Sequence, residues 1–206
     1  MSDMLLDTTL LSNFAHVQRP DLLRLAVGAE AATTPAVMDE IQAGEHLQLV
    51  PACDWSWLPV IELTDDERQA AAGVPLGRGE SECLAVAQAR GGTLLSDDFA
   101  ARRLARHLGI SVPGTLGVLQ TLVQAGHLSL DEADHLLAGM ISHGYRSPVR
   151  SSGTCSLNRI PAPGRLSRLV PGLSSPRAAT LIHDPDDRQI PHNCHIQRTG
   201  GTIAHE

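Results

Sequence analysis

Apolar residues over the first 146 positions follow two spacings, and each spacing implies a different element. Short solid runs, "MLL" before Asp7 and "TLLS" before Asp97, show no polar face, as expected of strands buried on both sides of a parallel sheet. Longer stretches repeat apolar residues every three or four positions, the mark of amphipathic helices. The first strand is expected to end near Leu6, with a helix starting between Thr8 and Leu11. "PDLLRLAV" follows as a helix opened by proline. Thr-Thr-Pro then starts a helix over Ala36 to Ile41, with Gly44 as its expected end. "LQLV" and "LPVIEL" are strand candidates, and "DDERQAAAG" is a short helix closed by Gly73.

The second half repeats this grammar. "GRGESECLAVAQARGG" predicts a helix with Glu80 and Glu82 in its first turn, where the helix dipole favours negative charge. Leu84, Ala85, Ala87 and Ala89 form its expected packing face, Cys83 a small core residue, and Gly91-Gly92 its end. After the strand "TLLS" comes the helix "FAARRLARHLG", whose expected inward stripe is Phe99, Leu104 and Leu108. "ISVPGT" is a further short strand; "LGVLQTLVQAG" and "LDEADHLLAGMISHG" are amphipathic helices. Strands and helices alternating in this way predict an α/β fold, three layers α/β/α around a central parallel sheet of about five strands.

From Ser147 the periodicity stops. Seven of the thirteen prolines lie in 147–206, among Gly, Ser and Arg. We therefore expect two parts, a folded domain over 1–146 and a poorly structured C-terminal tail over 147–206. Charge divides at the same point: nine arginines against nineteen acids before it, seven against four after it. His183, His192, Cys194 and His195 in the tail match no structural zinc spacing. The four cysteines are widely spaced without a C-x-x-C pair, so nothing predicts a disulfide framework. No apolar run approaches 18 residues and no secretory leader pattern opens the chain, which predicts a cytoplasmic protein with no membrane association.

One absence restricts the chemistry. All sixteen basic side chains are arginine. Without lysine there is neither a Walker A phosphate loop nor Schiff-base catalysis. The acids, by contrast, fall at informative places. In an open parallel sheet, ligands gather at the carboxyl ends of the strands. Asp7 follows the first strand, Glu40 lies on the helix after "ATTPAV", Glu80 and Glu82 open a helix, and Asp97 and Asp98 close "TLLS". Each has an ordinary structural use as a cap, a first-turn acid or a solvated face. Taken together they would repel one another unless a cation sat among them, and an oxygen-only set suits Mg²⁺ or Mn²⁺.

The segments "LLDTTLLSNF", "PAVMDEI", "GRGESECLAVAQARGGTLLSDDFAARRLARHLGI" and "VPGTLGVLQTLVQAG" resemble the PIN-domain family in content and order, over roughly residues 4–146. They look closest to its bacterial and archaeal subgroup similar to VapC-type toxin ribonucleases. The resemblance implies a metal-dependent ribonuclease with catalytic acids at Asp7, Glu40, Glu82 and Asp98. One or two Mg²⁺ or Mn²⁺ ions would be held by Asp7, Glu82 and Asp98, with Glu80 competing for the third position and Asp97 for the fourth. Thr8, Asn13 and Ser96 match positions that support the site by hydrogen bonding. It also implies an RNA substrate, a cognate antitoxin protein and a homodimer. Arg102, Arg103 and Arg106, one turn beyond the aspartates, are candidates for phosphate contacts. The family often carries Asp at the third acid position, where this chain has Glu, and the tail matches nothing in the family. Two other classes compete: a catalytically silent PIN-like binding module, and an aspartate-dependent phosphotransferase, which the missing lysine disfavours.

Overall fold

The computed structural model describes residues 4–147, and the tail from residue 148 on, with its histidines and Cys194, lies outside the described residues. Three strands, β1 (Met4–Leu6), β2 (Ala31–Ala32) and β3 (Thr93–Leu95), form a parallel sheet in the order β2-β1-β3. Leu5 pairs with Ala32 on one side and Leu94 on the other. Every residue of β1 is buried, the condition its solid apolar run anticipates.

Among the described residues, eight helices surround the sheet: α1 (Thr8–His16), α2 (Pro20–Val27), α3 (Pro35–His46), α4 (Asp65–Ala72), α5 (Arg78–Arg90), α6 (Phe99–His107), α7 (Thr115–Gln124) and α8 (Leu130–Ser142). They pack in two groups. Helices α1, α2, α7 and α8 contact one another, while α5 touches β1 and β3 and gathers α3, α4 and α6. The result is an α/β/α arrangement, with a core of Leu, Val, Ile and Ala around Phe14.

The sheet is narrower than the five strands expected, and the reason is local. "LPVIEL" contributes a single bridge, Thr33 to Val60, with Thr33 N donating to Pro59 O and Ile61 N to Thr33 O, both at 2.9 Å. "ISVPGT" lies beside β3, where Leu94 N donates to Ser111 O at 3.0 Å and Ser96 N to Pro113 O at 3.1 Å. Both segments extend the sheet's margins, and prolines 59 and 113 have no N–H with which to lengthen the ladder.

"LQLV" is not a strand. Gln48 adopts φ 58°, and Leu47 and Leu49 are left 69% and 67% exposed. Helix α3 continues past Gly44 to His46, and the Gly44 carbonyl accepts from Leu49 N and Val50 N as the chain turns back. Ala89 of α5 faces solvent, because the buried face of that helix is Gly79, Ser81 and Cys83 to Ala87. On α6 the expected stripe is also displaced: Phe99 is 71% and Leu108 40% exposed, and Leu104 is half-buried. Its inward face is Ala101 and Ala105, whose small side chains let the helix approach the body closely.

Candidate active site at the carboxyl ends of the strands

Asp7 follows β1 directly and is fully buried. It is the N-cap of α1, with Oδ1 accepting from Leu10 N at 3.0 Å and from Thr9 Oγ1 at 2.8 Å. Ser96, at the end of β3, donates its hydroxyl to Asp7 Oδ2 and accepts from Asp98 N at 3.1 Å. One serine thus ties the acid after β1 to the acid after β3. All three donors to Asp7 are neutral. Burial therefore dominates and pushes its carboxyl up to about 7, against the hydrogen bonds from Ser96, Leu10 and Thr9.

The adjacent aspartates take different roles. Asp97 turns inward, accepting from Thr115 N at 3.1 Å, Thr115 Oγ1 at 2.6 Å, Asn13 Nδ2 at 3.1 Å and Tyr145 OH at 3.4 Å. Its own N–H donates to Thr9 Oγ1 at 3.0 Å. Burial raises its carboxyl and the Thr115 hydrogen bonds oppose the rise. Asp97 therefore joins α1, α7 and the end of the described chain. Gly114 is required here, since an added Cβ would collide with Asp97 Oδ1 and come within 2.9 Å of Arg102. Asp98 caps α6, accepting from Ala101 N at 2.7 Å through one oxygen.

The two glutamates of α5 also separate. Glu82 Oε2 accepts from Ala36 N at 3.1 Å, at the start of α3, while its Oε1 takes Arg78 Nε at 3.2 Å. That is a capping position satisfied by an arginine. Glu80 is half-buried, and its carboxyl is raised by burial and by the negative charges of Glu40 and Asp98. Of the two, Glu80 therefore shares a field with the other acids. Glu40 is held in place by Thr8 Oγ1 and by Gly79 N at 2.9 Å. Gly79 lets Glu40 come this close, because a Cβ there would meet Glu40 Oε2 at 2.6 Å and push the carboxylate aside.

Ser96 links Asp7 to the backbone of Asp98, Thr8 bonds to Glu40, Glu80 feels the charges of Glu40 and Asp98, and Asn13 bonds to Asp97 and Thr115. Among the described residues, no three His, Cys, Asp or Glu side chains already stand as a group able to hold an ion. The chemistry of the donors nonetheless fits a hard divalent cation: they are all oxygens, Asp7 has no cationic partner among the described residues, and Glu80 is raised by burial and by Glu40 and Asp98. Arg102 donates to Ser96 O at 2.8 Å and its charge acts on Asp97; Arg103 and Arg106 are exposed.

Thr9, Thr115 and Tyr145 escaped the sequence reading. The doubled threonine after Asp7, a threonine at the first turn of α7 and the chain's single tyrosine were the available signals. Their bonds to Asp97 span 88, 18 and 48 residues respectively.

A parallel α/β domain with acids from separate segments at the strand ends defines a class, the nuclease-type fold. The chain belongs to the PIN-domain family: the family model DUF3368, PIN domain, matches residues 3–152. Proteins of this family are generally nucleases and typically use divalent metal ions. No curated protein and no solved structure matches the chain. No described helix is long and apolar enough to cross a membrane.

Proposed function

We propose that this chain is a cytoplasmic, Mg²⁺- or Mn²⁺-dependent endoribonuclease that hydrolyses RNA phosphodiester bonds, the toxin of a VapC-type toxin–antitoxin pair. A cognate antitoxin protein and a homodimer belong to the same reading. The observation that carries it is Asp7, a fully buried carboxylate at a strand end, bonded through Ser96 toward Asp98 and given no cation by the described residues. Structural acids are ordinarily neutralised by the fold. An acid left like this suits a site completed from outside.

Asp7, Glu80 and Asp98 would hold the ion, with Glu40 behind them. When bound, a divalent cation lowers the pKa of an attacking water and neutralises charge developing on the phosphate. The remaining work falls to this chain. Ser96 keeps Asp7 and Asp98 in fixed relation, because it donates to one and accepts from the backbone of the other. Glu40 anchors the first turn of α5 through Gly79 N, and so sets the height of Glu80. Thr9 links Asp7 to the backbone of Asp97, so that the ends of β1 and β3 move as one.

A binding module without cleavage is the second reading, and it rests on the acids already engaged: Glu40 by Thr8 and Gly79, Glu82 by Ala36 and Arg78. Purified protein incubated with labelled RNA separates the two. Cleavage that appears with Mn²⁺ or Mg²⁺ and stops with chelator supports the nuclease. Uncut RNA across both metals, with RNA still retained by the protein, supports the module.

A further inference from the structure

The peptide group that joins Leu6 to Asp7 is held by three separate segments. Its N–H donates to Leu95 O of β3 at 3.1 Å. Its carbonyl, Leu6 O, accepts from Thr33 Oγ1 at 2.7 Å and from Cys83 Sγ at 3.6 Å, and both residues are fully buried. The register of β1 with β2 ends at Leu5 and Ala32. Thr33 then gives its backbone to the outer segment, donating N–H to Pro59 O and accepting from Ile61 N, each at 2.9 Å. Its hydroxyl serves β1 in place of a ladder N–H. Thr34, the N-cap of α3, makes no side-chain cap, and its hydroxyl lies 3.9 Å from Cys83 Sγ.

One donor would satisfy a buried carbonyl, and that is the ordinary use of a buried threonine. Here two arrive, from different elements, and each of the three segments on this peptide also carries an acid. Leu95 leads through Ser96 to Asp98, Thr33 leads into α3 with Glu40, and Cys83 stands about one turn after Glu80 on α5. Asp7 is the fourth acid. Four carboxylates drawn from four segments have no local spacing in common, so their distances depend on where those segments are tied together.

Resting on the metal-dependent reading above, we propose that Thr33 and Cys83 are positioning residues of the metal site. Neither is a ligand. By fixing the Leu6 carbonyl they set the spacing of Asp7 from Glu40 on one side and from Glu80 on the other, and with it how tightly a divalent cation is held. Thr33 carries the larger share, because a thiol is a weak donor.

The test uses the full chain with Mn²⁺ alone as the probe, the free ion being read by its EPR signal. Thr33→Val removes the hydroxyl at nearly constant shape and is expected to weaken Mn²⁺ binding about tenfold or more. Thr33→Ser, which keeps the hydroxyl, should restore most of that affinity, and Cys83→Ala should show a smaller loss than Thr33→Val. Thr121→Val is the control: Thr121 is also buried, but its hydroxyl bonds within α7, to Gly117 O at 2.9 Å, so Mn²⁺ binding should match wild type. Thr33→Val that binds Mn²⁺ like wild type overturns the proposal, as does Thr33→Ser as weak as Thr33→Val. Equal weakening in Thr121→Val also overturns it, by making the loss a general one. If Thr33→Val does not fold, Cys83→Ala decides, with unchanged affinity counting against the proposal and weakened affinity for it. Wild type that binds no Mn²⁺ removes the metal site and the proposal together. Wild type that binds Mn²⁺ but leaves RNA uncut sinks the nuclease reading alone, and the Thr33 variants still decide the positioning role.

Discussion

Asp7 and Glu67 are both acids removed from water, 0% and 5% exposed, and both stand at the start of a helix. Glu67 belongs to the capping box of α4 and receives Arg90 through Nε and Nη2, each at 2.7 Å. Those charged hydrogen bonds outweigh burial and hold its carboxyl down to about 2. Asp7 receives three neutral donors, and burial wins, to about 7. Two things differ: Asp7 lies deep in the body and meets neutral donors, whereas Glu67 is covered near the surface by the Arg90 guanidinium. At Glu67 the protein supplies its own counter-charge and welds α4 to α5. At Asp7 the described residues supply neutral donors, and in the proposed function that is where a cation would act.

The largest expected effects come from the unpaired side of this comparison. Asp7→Asn and Asp98→Asn should each reduce metal-dependent RNA cleavage by on the order of a hundredfold or more, while Glu67→Gln leaves the rate per folded molecule nearly unchanged. A Glu67→Gln enzyme as inactive as Asp7→Asn would erase the distinction. Next in size is the paired side. Arg90→Met leaves Glu67 buried without its partner and should cost about 3 kcal/mol in denaturant unfolding. Glu67→Leu combined with Arg90→Met should recover most of that loss.

The pH dependence of metal-free protein should run in opposite directions for the two acids. Because the folded pKa of Asp7 is raised from 3.8 to about 7, the native state binds more protons than the unfolded state between those values. Its contribution to stability therefore falls as pH rises through that window. Glu67, lowered from 4.5 to about 2, contributes stability above 4.5 that is lost as pH falls toward 2. Melting curves should show Mn²⁺ raising Tm more at pH 8 than at pH 5, and Asp7→Asn should melt higher than wild type at pH 8 without metal. A metal effect of equal size in Asp7→Asn would place the ion elsewhere. The smallest contrast is between neighbours on α5. Glu80→Gln should lower activity about tenfold or more. Glu82→Gln should mainly loosen the start of α3, costing about 1 kcal/mol.

Much of this fold could be read along the chain, because its helices announce themselves locally. Thr64 with Glu67 and Ser129 with Glu132 are capping boxes written in four residues. Pro20 and Pro35 open α2 and α3 where a missing N–H costs nothing. The strands were legible at β1 and β3, where burial on both faces makes an unbroken apolar run. They were not legible at "LQLV", since a short apolar stretch is equally compatible with a turn, and a left-handed Gln48 decides for the turn.

The acid positions follow the same division. That Asp7, Glu40, the Glu80 and Glu82 pair and the Asp97 and Asp98 pair would collect at one end of the sheet follows from strand order and the direction of parallel crossovers, both carried by sequence. Which member of each pair belongs to the opening does not. Successive residues leaving a strand point to opposite sides, and positions two apart on a helix differ by about 200°. Local pattern cannot say which side each faces. Distant partners separate them in the structure: Asn13, Thr115 and Tyr145 bond to Asp97, and Ala36 with Arg78 to Glu82. Phe99 makes the same point on α6. Its apolar character was written in the sequence, but only the close approach of Ala101 and Ala105 to the body turned it outward beside Asp98.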